Sequence, residues 1–233
     1  KLEFYDGITD FVDFGSGTGT AQFALLDTLL SGDDIETGDS DISFTCVETS
    51  KQAVDSHKQI LEEVFPLAHT HWKQQMHGPF EDDHLICSYS LNELETTPDW
   101  LYKYSSMTIV DPSTQKMGRK LLELRKKLSE KKYSHWAPCV HQEDCPLLSE
   151  SKKDWCHDRI FTELPQWWQE IQEHLPMKND SVTFSYLLSR NDKEISHANN
   201  TARVIGDTLN EKGKSIPIDQ QVRDKFAYLE KEN

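Results

Sequence analysis

The stretch Phe11-Val12-Asp13-Phe14-Gly15-Ser16-Gly17-Thr18-Gly19-Thr20 decides how the rest of the chain is read. An apolar run of strand type ends in an acid and then in three alternate glycines. From Thr20 to Leu30 the apolar residues recur at helical spacing, until Ser31-Gly32 stops them. Glycines at such a turn let the backbone bend sharply and approach a ligand closely, and the helix that follows presents free N–H groups. A glycine-rich strand-to-helix turn also serves ordinary folds, so the loop gains meaning from Glu48. This acid closes the next β-rich run, Ile42 to Val47, 29 residues after Gly19. A carboxylate there can accept hydrogen bonds from both hydroxyls of a ribose, as in dinucleotide folds. The spacing in those folds is about 20 residues, and the acidic loop from Asp33 to Asp41 accounts for the excess. A solvated strand-end acid is the plainer alternative for Glu48.

Working outward, helices and strands alternate. The pattern predicts a helix from about Lys51 to Val64 that stops at Pro66. Apolar runs at His84 to Ser90 and Met107 to Val110 follow, and then an amphipathic helix carrying Leu121, Leu122, Leu124 and Leu128. Strands alternating with helices imply a mostly parallel sheet covered on both faces. Val182 to Ser189 and Ala202 to Ile205 are late strand candidates, close enough together to be antiparallel neighbours. Parallel early strands with an antiparallel pair at the end describe the class I S-adenosylmethionine-dependent methyltransferase fold, a Rossmann-like α/β architecture. The pattern D-x-G-x-G-x-G from Asp13 favours adenosylmethionine over a dinucleotide, because no pyrophosphate has to be cradled. One domain spanning residues 1–233 is expected.

The chain has 233 residues and a formal net charge of −15, which argues against wholesale binding of phosphate. The charge is unevenly spread. From Lys116 to Lys132 eight basic residues face Glu123 and Glu130, a net of +6 that leaves the remainder at −21. If RNA is touched, this segment is the candidate, with a solvated helix face as the alternative. No stretch approaches the ~20 apolar residues of a membrane span. No secretory signal precedes the first apolar segment, and a start just ahead of a core strand predicts that an N-terminal segment is missing.

The five cysteines divide into two kinds. Cys46 and Cys87 sit in apolar runs, whereas Cys139, Cys145 and Cys156 share one polar segment at spacings C-x5-C and C-x10-C. An odd count without a secretory signal suits a reducing compartment and a metal site better than a disulfide framework. A metal-binding insertion at about 137–160 is therefore expected, with the three sulfurs converging on a soft metal or a cluster. Zinc would be satisfied by three cysteines and His141 or His157.

Several phrases, taken together, resemble one family. They are VDFGSGTGTAQFAL (Val12–Leu25), SYSLNEL (Ser88–Leu94), IVDPSTQKMGRKLLELR (Ile109–Arg125), APCVHQEDCPL (Ala137–Leu147), DWCHDR (Asp154–Arg159) and FSYLLSR (Phe184–Arg190). The chain is similar, over roughly residues 10 to 210, to methyltransferase-like protein seventeen and its bacterial and yeast relatives, the mitochondrial small-ribosomal-subunit methyltransferase-like proteins. The glycine turn, the strand-end acid and the segment after the fourth strand put the expected adenosylmethionine contacts on Asp13, Gly15, Ser16, Gly17, Gly19, Glu48, Ser88 and Asn92, and the resemblance implies the class I methyltransferase fold. It also implies a role in methylating small-subunit rRNA or assembling the subunit, alongside ribosomal proteins or assembly factors, in the mitochondrial matrix or a bacterial cytoplasm. A [4Fe–4S] cluster on four cysteines is implied as well, three of them being Cys139, Cys145 and Cys156. Residues 157–233 contain no cysteine, and Asp111-Pro112-Ser113 stands where the family tends to read E-P-G.

No catalytic residue is assigned. The segment Ser88-Tyr89-Ser90-Leu91-Asn92-Glu93 occupies the position at which amino-methyltransferases carry an Asn/Asp-Pro-Pro-aromatic motif, without its prolines. Tyr89 and Asn92 could orient an amine there; alternatively, Asn92 and Glu93 simply cap the following turn. A non-catalytic assembly factor therefore remains the alternative to an enzyme, as does a methyltransferase of another substrate with structural zinc.

Overall fold

The computed structural model describes residues 2–30, 41–76, 83–139, 141–161, 165–175, 181–193, 195, 201–203 and 215–217. Strand β1 (Asp10–Phe14) leads through the glycine turn into helix α1 (Thr20–Leu29), then β2 (Ser43–Val47), α2 (Lys51–Val64), β3 (His69–Lys73) and β4 (His84–Ser88). Strand β5 (Ser106–Pro112) precedes α3 (Gln115–Glu130) and β6 (Ser134–Ala137). The remaining elements are α4 (Pro146–Ser149), β7 (Asp158–Phe161), α5 (Gln166–Glu173), β8 (Ser181–Arg190), β9 (Thr201–Arg203) and β10 (Ser215–Pro217).

The main sheet runs β3-β2-β1-β4-β5-β8-β6, with β7 also paired to β8. Strands β1 to β5 are mutually parallel, while β8 lies antiparallel to β5, β6 and β7. This is the mostly parallel, Rossmann-like sheet the alternation predicts. One expectation fails. The late pair joins β8 to β9 in the sequence reading, but β9 pairs with β10 in a separate two-stranded sheet. Strand β8 instead satisfies both its edges inside the main sheet, which leaves it no edge for β9.

Side chains alternate between the two faces of each strand. Val12, Leu85, Cys87, Met107 and Ile109 point to a core that α3 closes with Leu121, Leu124 and Leu128. Phe11, Phe44, Cys46 and Ile86 point to the other, which Leu26 of α1 and Leu61 of α2 close. Helices α2 and α3 begin where a hydroxyl is available: Ser50 accepts from Ala53 N–H and Thr114 from Met117 N–H. Among the described residues no helix is long and apolar enough to cross a membrane. The acidic loop expected at Asp33–Asp41 lies outside the described residues, apart from Asp41.

The chain lays down β1, β2 and β3 outward and then returns to place β4 on the other side of β1. The strand order thus reverses between β1 and β4, and open α/β sheets bind ligands outside the carboxyl ends at such a point. That position is where the glycine turn lies.

Candidate functional site

The turn after β1 is held in place by backbone geometry. Gly15 and Ser16 donate their N–H groups to Val47 O, at 2.9 and 3.2 Å, and Gly19 N–H closes the turn on Ser16 O. Gly15, Gly17 and Gly19 all have positive φ. Two of them also permit a close approach. A Cβ on Gly15 would lie 2.6 Å from Ser90 Cβ, and one on Gly19 would collide with the His57 ring. The glycines therefore let the β4 loop and helix α2 press against the turn. Gly17 has open space where a Cβ would be, so it is the member that faces outward. Helix α1 starts at Gly19 with no side-chain cap, which leaves its first N–H groups available.

Glu48 sits at the end of β2 beside this turn, as the sequence places it. One carboxylate oxygen accepts from Gly17 N–H at 3.0 Å and the other from Ser50 N–H at 2.7 Å. Glu48 thus ties the glycine turn to the start of α2. A carboxylate offers about four acceptor positions, so capacity remains for ribose hydroxyls.

Asp13 lies fully buried at the end of β1, and neither of its carboxyl oxygens has a hydrogen-bond partner among the described residues. Burial raises its pKa to about 7, and the nearby Glu48 charge adds to the rise. Asp111, at the same end of β5, is raised to about 6 by burial, against the lowering effects of Asn92 N–H and the Lys120 charge. Its Oδ1 and the Oδ1 of Asn92 are buried without a partner among the described residues. Ser88 ends β4 opposite Val110, and Asn92 lies in the short 3₁₀ turn Leu91–Glu93 that follows. The predicted residues from β1, β2 and β4 are thus gathered at one end of the sheet.

Sequence reasoning missed the layer beneath. Trp72 Nε1–H donates to His57 Nδ1 at 3.3 Å, and His57 Nε2 lies 2.9 Å from Gln22 Oε1. The same Gln22 oxygen accepts from the Cys46 thiol, and its amide donates to Thr70 Oγ1. The Trp72 bond requires an unprotonated Nδ1, in keeping with burial lowering the His57 pKa. The available signal was the i, i+4 spacing of His57 and Leu61, which puts the histidine on the buried face of α2. Asp111 was also legible as a third strand-end acid.

The cysteine segment departs from expectation. Cys139 and Cys156 line one cavity of about 10 Å³ beside Tyr186 and Leu187, room for about one water molecule. Cys145 does not line that cavity and lies at the start of α4. Among the described residues, no group of three or more His, Cys, Asp or Glu side chains is placed to hold a metal ion. His157 stacks on Trp155 with ring centroids 5.4 Å apart. The expected convergence of three thiolates is therefore not met, and the residues as placed fit neither a four-iron cluster nor zinc. The segment is anchored to α3 by Arg125. Its guanidinium is buried and donates to the carbonyls of His141 and Glu143 at 2.8 and 2.9 Å. The loop wraps around this side chain.

Part of the basic helix's charge is likewise used inside the molecule. Arg119 donates to the carbonyls of Leu147, Ser151 and Asp154, and Lys120 to those of Leu91 and Leu94. With Arg125, three of the eight cations act inside the molecule. Lys116, Lys126, Lys127, Lys131 and Lys132 remain exposed. Gly118 serves the same packing, because a Cβ there would lie 2.6 Å from Trp155 Cδ1 and 3.2 Å from Cys156 O.

The molecule is similar in structure to TrmK of M. capricolum, solved in complex with S-adenosyl-homocysteine. The identity is 8% and the TM-score 0.44, over 84% of this chain and 69% of that one. Magnesium protoporphyrin IX methyltransferase of Synechocystis, with bound SAM, gives 12% identity and a TM-score of 0.44 over 79% of this chain and 70% of that one. The YcgJ protein of Bacillus subtilis gives 12% and 0.44 over 81% and 94%. Among curated proteins none matches the chain. The family model described as mitochondrial small ribosomal subunit Rsm22 matches residues 7–222. That span runs from the approach to β1 past the last described strand, and the chain belongs to the mitochondrial small ribosomal subunit Rsm22 family.

Proposed function

We propose that the protein binds S-adenosylmethionine at the carboxyl ends of β1, β2 and β4 and acts on the small ribosomal subunit, by methylating its rRNA or by assisting its assembly. The observation that carries the reading is the glycine turn tied to Glu48 at the reversal point of the sheet. Electrostatics support a cationic ligand over a pyrophosphate. Glu48 and Asp111 belong to this end of the sheet, and Lys120, which lies near Asp111, gives its ammonium to carbonyls. Bound there, adenosylmethionine supplies an electrophilic methyl group on a sulfonium. The chain's part would be to orient it: Gly17 and the first N–H groups of α1 would lie against it, and Glu48 would accept from its ribose.

The family's description supports the small subunit as partner. RNA contact is assigned to the exposed lysines of α3 and its C-terminal turn. Lys116 and Lys127 border an open groove of about 380 Å³ together with Thr96, Thr97, Glu95 and Glu123. Incubating the full chain with methyl-labelled adenosylmethionine and purified small subunits tests the reading. Label transferred to rRNA supports an enzyme. Cofactor binding and subunit association without transfer support the assembly factor, and the absence of both overturns the proposal.

A further inference from the structure

Two residues other than glycine have positive φ among the described residues, Tyr89 at 56° and Lys132 at 66°. Lys132 has an ordinary cause. It follows the C-terminus of α3, where Lys132 N–H bonds Ser129 O and Tyr133 N–H bonds Leu128 O. Those two bonds form the Schellman pattern, which calls for a left-handed residue at this position. Tyr89 ends no helix. It directly follows β4, where its N–H donates to Val110 O at 2.7 Å. A bulky side chain in this conformation is strained, and such strain persists where the surrounding structure imposes it and gathers at ligand sites.

The constraint comes from both sides. Val110 O fixes the Tyr89 N–H, and the next residue, Ser90, is packed into the space left by the missing Cβ of Gly15. What the constraint achieves is to hold the ring at the reversal point with 45% of the residue exposed. A tyrosine serving only the core would be covered and its backbone relaxed. Asp111 lies close enough for its charge to act on the Tyr89 hydroxyl, and Asp111 Oδ1 and Asn92 Oδ1 remain without partners among the described residues.

We infer that Tyr89 is a stacking platform for a planar heteroaromatic ring at the carboxyl end of β4, with Asn92 and Asp111 offering acceptors to the ring's edge. The ligand class is a purine or pyrimidine, and two sources present it: the adenine of the cofactor and a base of single-stranded RNA. The inference deepens the proposed function and rests on it for the identity of these sources. Base stacking on an aromatic side chain tolerates sequence and needs the ring face alone. Tyr89→Phe keeps that face. Tyr89→Gly removes it and also suits the positive φ, so the variant folds.

The experiment measures binding of S-adenosylhomocysteine by calorimetry and of a labelled single-stranded RNA 12-mer by anisotropy, for the wild type and both variants, together with melting temperatures. The expected result is a loss of about 5- to 100-fold in one arm for Tyr89→Gly, near-wild-type binding for Tyr89→Phe, and a melting temperature that does not fall. A loss confined to the RNA arm identifies the ring as a substrate base, and one confined to the S-adenosylhomocysteine arm identifies it as the cofactor's adenine. Unchanged binding of both probes by Tyr89→Gly overturns the inference, as does a Phe variant that binds as poorly as the Gly variant. A wild type that binds S-adenosylhomocysteine while Tyr89→Gly changes nothing refutes the platform and leaves the proposed function standing. RNA binding that depends on Tyr89, in a protein that takes no S-adenosylhomocysteine, does the reverse.

Discussion

The turn after β1 and the loop from 137 to 157 both stand out in the sequence as clusters of chemistry-bearing residues, and the fold treats them in opposite ways. At the turn, glycines draw Ser90 and His57 inward, and carboxyl oxygens of Asp13 and Asp111 are left buried without partners among the described residues. In the cysteine loop, backbone carbonyls are satisfied by Arg119 and Arg125, and among the described residues the three thiols form no common metal-holding group. A buried polar group costs free energy until something pairs with it. The turn therefore carries unmet acceptor capacity at the reversal point of the sheet, while the carbonyls of His141, Glu143, Leu147 and Ser151 are spent on attaching the loop to α3.

The largest effect is expected where the loop's organisation is removed. Arg125→Ala leaves the His141 and Glu143 carbonyls without their donor, at roughly 1–3 kcal/mol each. Chemical denaturation should show a stability loss of about 2–5 kcal/mol, and Cys145 should react faster with a thiol reagent. Wild-type stability in this variant would mean that the loop is held by something other than the guanidinium.

Asp13 tests the turn through pH. Its folded pKa of about 7 lies above its ordinary value of 3.8, so between those values the folded state holds a proton that the unfolded state has released. Its contribution to stability is thus intact below pH 4 and is lost as pH rises through 7. Asp13→Asn keeps the shape of the protonated acid. A tenfold change in proton affinity is worth ~1.4 kcal/mol, so the variant should be more stable than wild type by about 2–4 kcal/mol at pH 8 and nearly equal to it at pH 4. Parallel stability–pH curves would show that Asp13 is ionised in the folded state.

A smaller loss follows from filling the close approach at the turn. Gly19→Ala strains a φ of 91° and pushes on His57, which should cost about 2 kcal/mol. Pairing it with His57→Ala should recover part of that loss, because neighbours in contact are not additive. Strict additivity in the double variant would separate the glycine from the histidine. The least effect on stability is expected from replacing Lys126, Lys127, Lys131 and Lys132 together with Glu, since all four are exposed. The readout is instead subunit association across a salt series, which should weaken and lose its salt dependence. An unchanged series would leave the basic face without a part in RNA contact.

Much of the turn was legible because its signals are local. The strand-end acid, the glycine spacing and Glu48 lie on consecutive elements, and the helix over Lys51–Val64 follows from periodicity and Pro66. What escaped is set by partners distant in the chain. Strand β3, His69–Lys73, is half-exposed at the sheet edge and has no apolar run to mark it. Arg125 reads as one more cation of a basic helix, because composition does not say that its guanidinium turns inward to carbonyls 16 and 18 residues away. The cysteine spacing likewise records proximity along the chain, whereas convergence depends on how the loop is anchored.

The central claim, that the turn and Glu48 form an adenosylmethionine site, is tested most directly by calorimetric titration of wild type and Glu48→Ala with S-adenosylhomocysteine. Removing the carboxylate takes away a ribose acceptor and releases Gly17 N–H and Ser50 N–H. The account predicts saturable binding by the wild type, weakened by roughly 1–3 kcal/mol in the variant. No heat of binding by the wild type at millimolar ligand, or equal affinity of the two proteins, would contradict it.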